Sequence, residues 1–228
     1  MPQTYNIAID GPAGAGKSTI AKQLATKLGF IYVDTGAMYR AMALYCLRKG
    51  IDKENQAAIE EACKEITISL QYEDGAQQVL LNGENVSGLI RTEEVSAMTS
   101  AISVYAAVRQ KLLELQRELA RTKDVIMDGR DIGTCVLPNA QTKIYLTAST
   151  HVRALRRYQE LIEKGEMCNL EEIEQDIEER DYRDMHREIA PLKQAEDAVL
   201  IDSSQMTISQ VIDAMTEAAK NHGLRENR

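Results

Sequence analysis

The run Gly11-Pro12-Ala13-Gly14-Ala15-Gly16-Lys17-Ser18 fits the pattern G-x-x-x-x-G-K-[ST]. Glycines let the main chain curl around an anion so that several N–H groups point inward. A helix beginning near Lys17 adds its positive end to the same point. Lys17 is then placed to reach the β- and γ-phosphates of a nucleoside triphosphate, and the Ser18 hydroxyl to ligate Mg²⁺. Thr19 follows in the first helical turn and is counted with the loop. The motif also has the surroundings it needs, an apolar stretch before it and a helical pattern after it.

A second group of residues could hold another anion. Arg153, Arg156 and Arg157 are spaced i, i+3, i+4, which places them on one face of a helix. Arg180, Arg183 and Arg187 repeat the device at i, i+3, i+7, with Asp184 among them. Arg130 directly follows the apolar run 125–128, and Asp34, Tyr39 and Arg40 follow the apolar run 30–33. Ligands of open α/β sheets bind at the carboxyl ends of strands. The helical arginines lie amid many acidic residues, so internal salt bridges are the competing reading. A phosphorylated acceptor beside a triphosphate brings together about −2 and −4 charges, and these need a dense positive cage.

Composition narrows the class. The net charge is −8, so an anionic ligand is met by local charge against the global field, and nucleic-acid partners are not expected. The three histidines, His151, His186 and His222, show no metal-ligand spacing. The four cysteines are widely spaced with no C-x-x-C pair, as in a protein with reduced thiols. The first ten residues lack the basic segment of a leader, and no uncharged run is long enough to span a bilayer. A cytoplasmic monomer without a membrane partner is expected. Neither D-x-x-G nor N-K-x-D occurs, which argues against a GTPase and leaves a small kinase.

These residues need a scaffold. Residues 5–10, 30–33, 125–128, 142–146 and 199–202 read as short buried strands, and helices are expected over 17–28, 38–49, 108–121, 150–164, 170–188 and 208–219. Strands alternating with helices predict an α/β fold, a five-stranded parallel sheet flanked by helices. Ile66, Ile68, Leu70 and Tyr72 alternate with polar residues, Asp74-Gly75 offers a turn, 79–81 returns, and Asn82-Gly83 offers a second turn. Antiparallel hairpins do not belong inside a sheet of crossover units, so this region is read as an insert. The expected division is core 1–59, insert 60–100, core 101–150, lid 151–169 and core 170–228.

The segments Asp34-Thr35-Gly36-Ala37-Met38-Tyr39-Arg40, Val86-Ser87-Gly88-Leu89-Ile90-Arg91-Thr92, Asp128-Gly129-Arg130-Asp131-Ile132-Gly133-Thr134 and Glu179-Arg180-Asp181-Tyr182-Arg183-Asp184 resemble the signatures of bacterial cytidylate kinases. The resemblance covers nearly the whole chain. It implies a P-loop kinase core with a monophosphate-binding insert and a short helical lid. It further implies transfer of a phosphoryl group from ATP to CMP or dCMP with Mg²⁺.

By the same resemblance Arg40, Arg130 and Arg187 hold the acceptor phosphate. Ser100, Arg109 and Asp131 read cytosine, Arg180 and Asp184 contact the sugar, and Thr35 and Tyr39 line the acceptor site. Arg153 and Arg157 approach the transferred group. The family pattern has proline three residues before the cytosine-reading arginine, where this chain has Ala106, and commonly serine where it has Ala13. Two alternatives stand beside this reading. One is a kinase of UMP or another small acceptor; the other is a nucleotide-dependent switch with an exposed apolar patch and slow ATPase activity.

Overall fold

The structure, a computed structural model, describes residues 4–73 and 76–225. The turn expected at Asp74-Gly75 lies outside the described residues. In chain order the elements are β1 (Asn6–Asp10), α1 (Lys17–Leu28), β2 (Ile31–Asp34), α2 (Thr35–Arg48), α3 (Gln56–Glu65), β3 (Ile68–Glu73), β4 (Ala76–Leu81), β5 (Glu84–Asn85), α4 (Glu93–Ile102) and α5 (Ala106–Thr122). There follow β6 (Val125–Gly129), a π-helical turn (Ile132–Val136), β7 (Thr142–Thr147), α6 (Thr150–Glu163), α7 (Leu170–His186), β8 (Val199–Asp202) and α8 (Ile208–Asn221). Two compact units emerge, residues 4–32 with 123–225, and residues 33–122.

The larger sheet has the order β2-β6-β1-β7-β8. Its β1–β6, β1–β7 and β7–β8 pairs are all parallel, as the alternation of strands and helices predicts. Ile7, Ile9, Ile126, Ile144 and Leu146 from three adjacent strands pack with Ile20 and Leu24 of α1 and Val211 and Met215 of α8. With no tryptophan and a single phenylalanine in the chain, this core is aliphatic. Local chemistry sets the helix ends. Gly29 closes α1 in the left-handed conformation, with its N–H donating to the Ala25 carbonyl. Thr207 and Gln210 open α8 with a reciprocal capping box.

The second unit pairs β3, β4 and β5 antiparallel. Asn82 and Gly83, with φ of 50° and 85°, make the tight turn between β4 and β5. Two helices here had no clear signal in the sequence, α3 and α4. Each is short and buries only three side chains, Ile59, Ala62 and Cys63 in one and Val95, Met98 and Ile102 in the other. Their starts are capped by the side chains of Asn55 and Thr92, which accept from Ala58 N and Val95 N.

One helical expectation changes. The segment 170–188 ends as a helix at His186, and Arg187 takes an extended conformation with ψ of 142°. Arg183 is exposed on α7. Arg180, Arg183 and Arg187 therefore do not share a face, because the last of them has left the helix.

Candidate active site

The phosphate loop is held open by its glycines. A Cβ on Gly11 would lie 1.9 Å from the Leu146 carbonyl oxygen, so no other residue fits there without moving β7. Gly16 stands at φ 82°, a left-handed turn into α1. Lys17 folds back over the loop and donates from Nζ to the Pro12 carbonyl at 2.7 Å. Burial lowers its pKa well below the usual lysine range, with Arg130 adding to the effect while Asp128 and Asp10 oppose it. Ser18 donates from Oγ to Asp128 Oδ2 at 2.9 Å, and the Tyr32 hydroxyl donates to Asp128 Oδ1 at 2.8 Å.

Arg153 is buried against this loop. Its guanidinium donates to the carbonyls of Ala13 at 2.8 Å and Ala148 at 2.9 Å. It also pairs with Asp181 Oδ2 of α7 at 2.7 Å. Five donors in a rigid fork make arginine suited to such a multiple tie. A cavity of about 490 Å³ opens beside the loop, lined by Gly14, Thr19, Arg153, Arg157, Ser203 and Ile208 among others. Arg156 braces its far wall by donating to the Ser203 carbonyl at 2.8 Å. Arg157 is partly exposed and pairs with Glu160 at 3.0 Å.

Past β6 the chain presents Arg130 and Asp131. Arg130 Nε donates to Asp184 Oδ2 at 2.8 Å. Burial by itself would raise the Asp184 pKa; Arg130, Arg180 and Arg187 outweigh it and hold the carboxyl below the usual range. Arg187 donates from Nε to the Ala190 carbonyl at 2.6 Å and pairs through Nη2 with Asp131 Oδ1 at 3.4 Å. Arg130, Asp131, Arg180, Asp184 and Arg187 thus form one network within the first unit.

In the second unit Asp34 caps α2 by accepting from Ala37 N at 2.9 Å. Two guanidinium groups converge on its carboxylate, Arg40 at 3.2 Å and Arg91 at 3.0 Å. Gln77 of β4 accepts from Asp34 N at 2.9 Å and so ties the small sheet to this cap. Arg40 Nε is buried with no hydrogen-bond partner among the described residues, a donor left over for a ligand. Elsewhere in the unit the Arg109 guanidinium lies 5.9 Å from the Tyr39 ring centre and donates to the Ser103 carbonyl at 3.4 Å. The Ser100 carbonyl accepts from Ser103 Oγ at 3.1 Å, and Thr35 is buried in the first turn of α2.

Comparison with known proteins places this geometry. The cytidylate kinase family model matches residues 7–221. The chain belongs to the cytidylate kinase family. It is 51% identical over 211 residues to the cytidylate kinase of Lactobacillus johnsonii, covering 92% of each chain. It is 49% identical over 214 residues to that of Geobacter sp. strain M21, covering 94% of this chain and 92% of the relative. Among solved structures, an uncharacterized protein from Eubacterium ventriosum shares the fold with a TM-score of 0.54 at 10% identity, covering 95% of this chain and 99% of its own.

Several residues of this cytidylate kinase family member escaped the motif reading. Asp10 and Gln77 hold site residues without belonging to a recognised pattern, and Ser203 walls the cavity beside the loop; Asp181 and Arg91 lie inside the signature segments, and Arg156 on the arginine face, with no role assigned to them there. A buried acid directly before a glycine-rich loop is the signal that could have found Asp10. Among the described residues no three His, Cys, Asp or Glu side chains gather as a metal site, and no helix is long and apolar enough to cross a membrane.

Proposed function

We propose that this chain transfers the γ-phosphoryl group of ATP to the phosphate of CMP or dCMP, giving ADP and CDP or dCDP. The observation that carries the reading is the family match over residues 7–221, coupled to a phosphate loop that keeps its lysine and glycine geometry. ATP places its phosphates in the loop formed by Gly11, Pro12, Ala13, Gly14, Ala15, Gly16, Lys17, Ser18 and Thr19. The cavity of about 490 Å³ beside that loop takes the adenosine. Lys17 leaves the Pro12 carbonyl for the β- and γ-phosphate oxygens.

The residues present fit Mg²⁺. Ser18 Oγ and Asp128 Oδ2 are hard oxygen donors 2.9 Å apart at the start of α1, and this cation keeps most of its ligands as water and phosphate. When bound, it would neutralise charge on the β- and γ-oxygens.

Arg40, Arg130 and Arg187 hold the acceptor phosphate, with Thr35 and Tyr39 beside it. The buried Arg40 Nε, with no acceptor among the described residues, supports this role. Asp131 accepts from the cytosine N4 amine, with Ser100 and Arg109 completing the contact with the base, and Arg180 and Asp184 meet the sugar. No general base is needed, because the attacking phosphate oxygen is already anionic. Arg157 approaches the transferred group. Arg153 instead supports the loop from behind, since its guanidinium is committed to Ala13, Ala148 and Asp181.

Uracil carries an acceptor where cytosine carries the N4 amine, and would oppose it to Asp131 at a cost of about 1–3 kcal/mol. ADP release measured with CMP, dCMP, UMP, AMP and GMP tests the reading. CMP and dCMP are expected to be turned over well ahead of the others. Equal turnover of UMP, or slow ATPase activity indifferent to CMP, would favour one of the two alternatives.

A further inference from the structure

Asp10 ends β1 immediately before the phosphate loop, and both oxygens of its carboxylate are bonded to the main chain of another segment. Its Oδ1 accepts from Ile132 N at 2.7 Å and its Oδ2 from Gly133 N at 2.7 Å. The residue is 4% exposed, so both bonds are shielded from water. Ile132 and Gly133 open the π-helical turn whose first carbonyl, that of Asp131, accepts from Cys135 N at 2.8 Å and Val136 N at 3.1 Å. Gly133 is packed so closely that a Cβ would lie 3.3 Å from Asp10 Oδ2 and 3.2 Å from Lys143 Cδ. Lys143 cannot give way freely, because its ammonium is tied to Asp197 at 2.8 Å.

We infer that Asp10 is a positioning residue that fixes the Arg130–Asp131 loop, and so sets affinity for the acceptor nucleotide rather than for ATP. A carboxylate gripping two consecutive N–H groups restrains a peptide in both translation and rotation, as a single bond does not. Arg130 and Asp131 directly precede that peptide, and their reach is therefore inherited from it. The inference rests on the acceptor roles proposed for Arg130 and Asp131.

Asp10 is also held against the interests of stability. Burial, chiefly, pushes its carboxyl up to about 6, with the neighbouring Asp131 adding to the rise, while the two N–H bonds and Lys17 pull the other way. A raised folded-state pKa means that ionisation opposes folding: the stability contributed by the protonated carboxyl is fully present below 3.8 and is lost as the pH rises through about 6. A merely structural carboxylate would be expected to help the fold it sits in.

The test compares Asp10→Asn with the parent enzyme. Asparagine keeps the shape but turns an NH₂ donor toward one of the two N–H groups. The KM for CMP is expected to rise by about 10- to 100-fold. The KM for ATP should change less than about 3-fold, and Tm should stay close to the parent, because relief of the buried charge offsets the lost N–H bond. Gly133→Ala pushes the same contact apart without touching the carboxylate, and should raise the KM for CMP in the same sense by less; it serves if Asp10→Asn does not fold. A fall in Tm with parallel changes in both KM values, or no change in either, would overturn the inference while leaving CMP turnover by the parent intact. Failure of the parent to phosphorylate CMP would instead sink the functional reading, and this one with it.

Discussion

On the function proposed above, the donor loop and the acceptor arginines solve the same problem, holding phosphate, in opposite ways. The loop does it with main chain. Its glycines are locked by sterics, with Gly11 against the Leu146 carbonyl and Gly16 at φ 82°, and its single cation, Lys17, rests on the loop's own Pro12 carbonyl. The proposed acceptor arginines would do it with side chains, and each rests on a carboxylate: Arg130 on Asp184, Arg187 on Asp131, and Arg40 on Asp34, which Arg91 also reaches. Guanidinium groups set close together repel one another in the absence of an anion, and these acids stand in for it. A backbone site is therefore shaped before its ligand arrives, while a side-chain site is shaped by counter-charges that the ligand must outcompete.

If that contrast is right, the largest loss comes from the donor's one movable charge. Lys17→Met should lower kcat by about 10²- to 10³-fold or more, with Tm and circular dichroism close to the parent. Lys17 is buried with its charge disfavoured, so its removal relieves desolvation and the fold survives. Near-normal turnover would break the comparison at its donor end.

A smaller effect probes the acceptor end. Asp131→Asn should reduce the preference for CMP over UMP by about 10-fold or more, because an amide can present either a donor or an acceptor to the base. Competition assays with the two nucleotides measure the ratio directly. The same change removes the charge partner of Arg187, so the KM for CMP should also rise. An unchanged ratio would mean that specificity is written in the backbone here too.

The contrast also explains what could be read from the sequence. A backbone site leaves a spaced glycine signature, so the loop was legible directly, and the apolar runs around it placed the five strands to within a residue at each end. A side-chain site is assembled from scattered positions, and only the resemblance to a family pointed to Ser100, Arg109 or Thr35. Ties made by buried charged side chains left no signature: Asp10 reaches Ile132 across 122 positions, and Arg153 reaches Ala13 across 140. Periodicity placed Arg180 and Arg187 on one face, but the helix stops at His186 and the second of them is delivered by a loop. Helices α3 and α4 were hidden because three buried side chains apiece make too weak a stripe to see.

The smallest effect concerns the one site residue whose family pattern is broken nearby. Ala106 is the first residue of α5 and is exposed, and Arg109 lies one turn on, its N–H donating to the Tyr105 carbonyl at 3.2 Å. The first position of a helix is where proline fits best, since the N–H there has no partner within the helix and φ is already near the proline value. Proline at this position would therefore leave the folded helix as it is and act on the unfolded chain, by removing conformations it must lose. Ala106→Pro should raise stability by about 0.4–1 kcal/mol in denaturant melts. If the acceptor side is shaped by side-chain charges rather than by main-chain stiffness, the KM for CMP should move less than about 2-fold, below 0.5 kcal/mol at about 1.4 kcal/mol per tenfold. A large gain in CMP affinity from this one substitution would show that the loop before Arg109 needs the stiffness a proline provides, and that the acceptor site, like the donor loop, depends on its main chain.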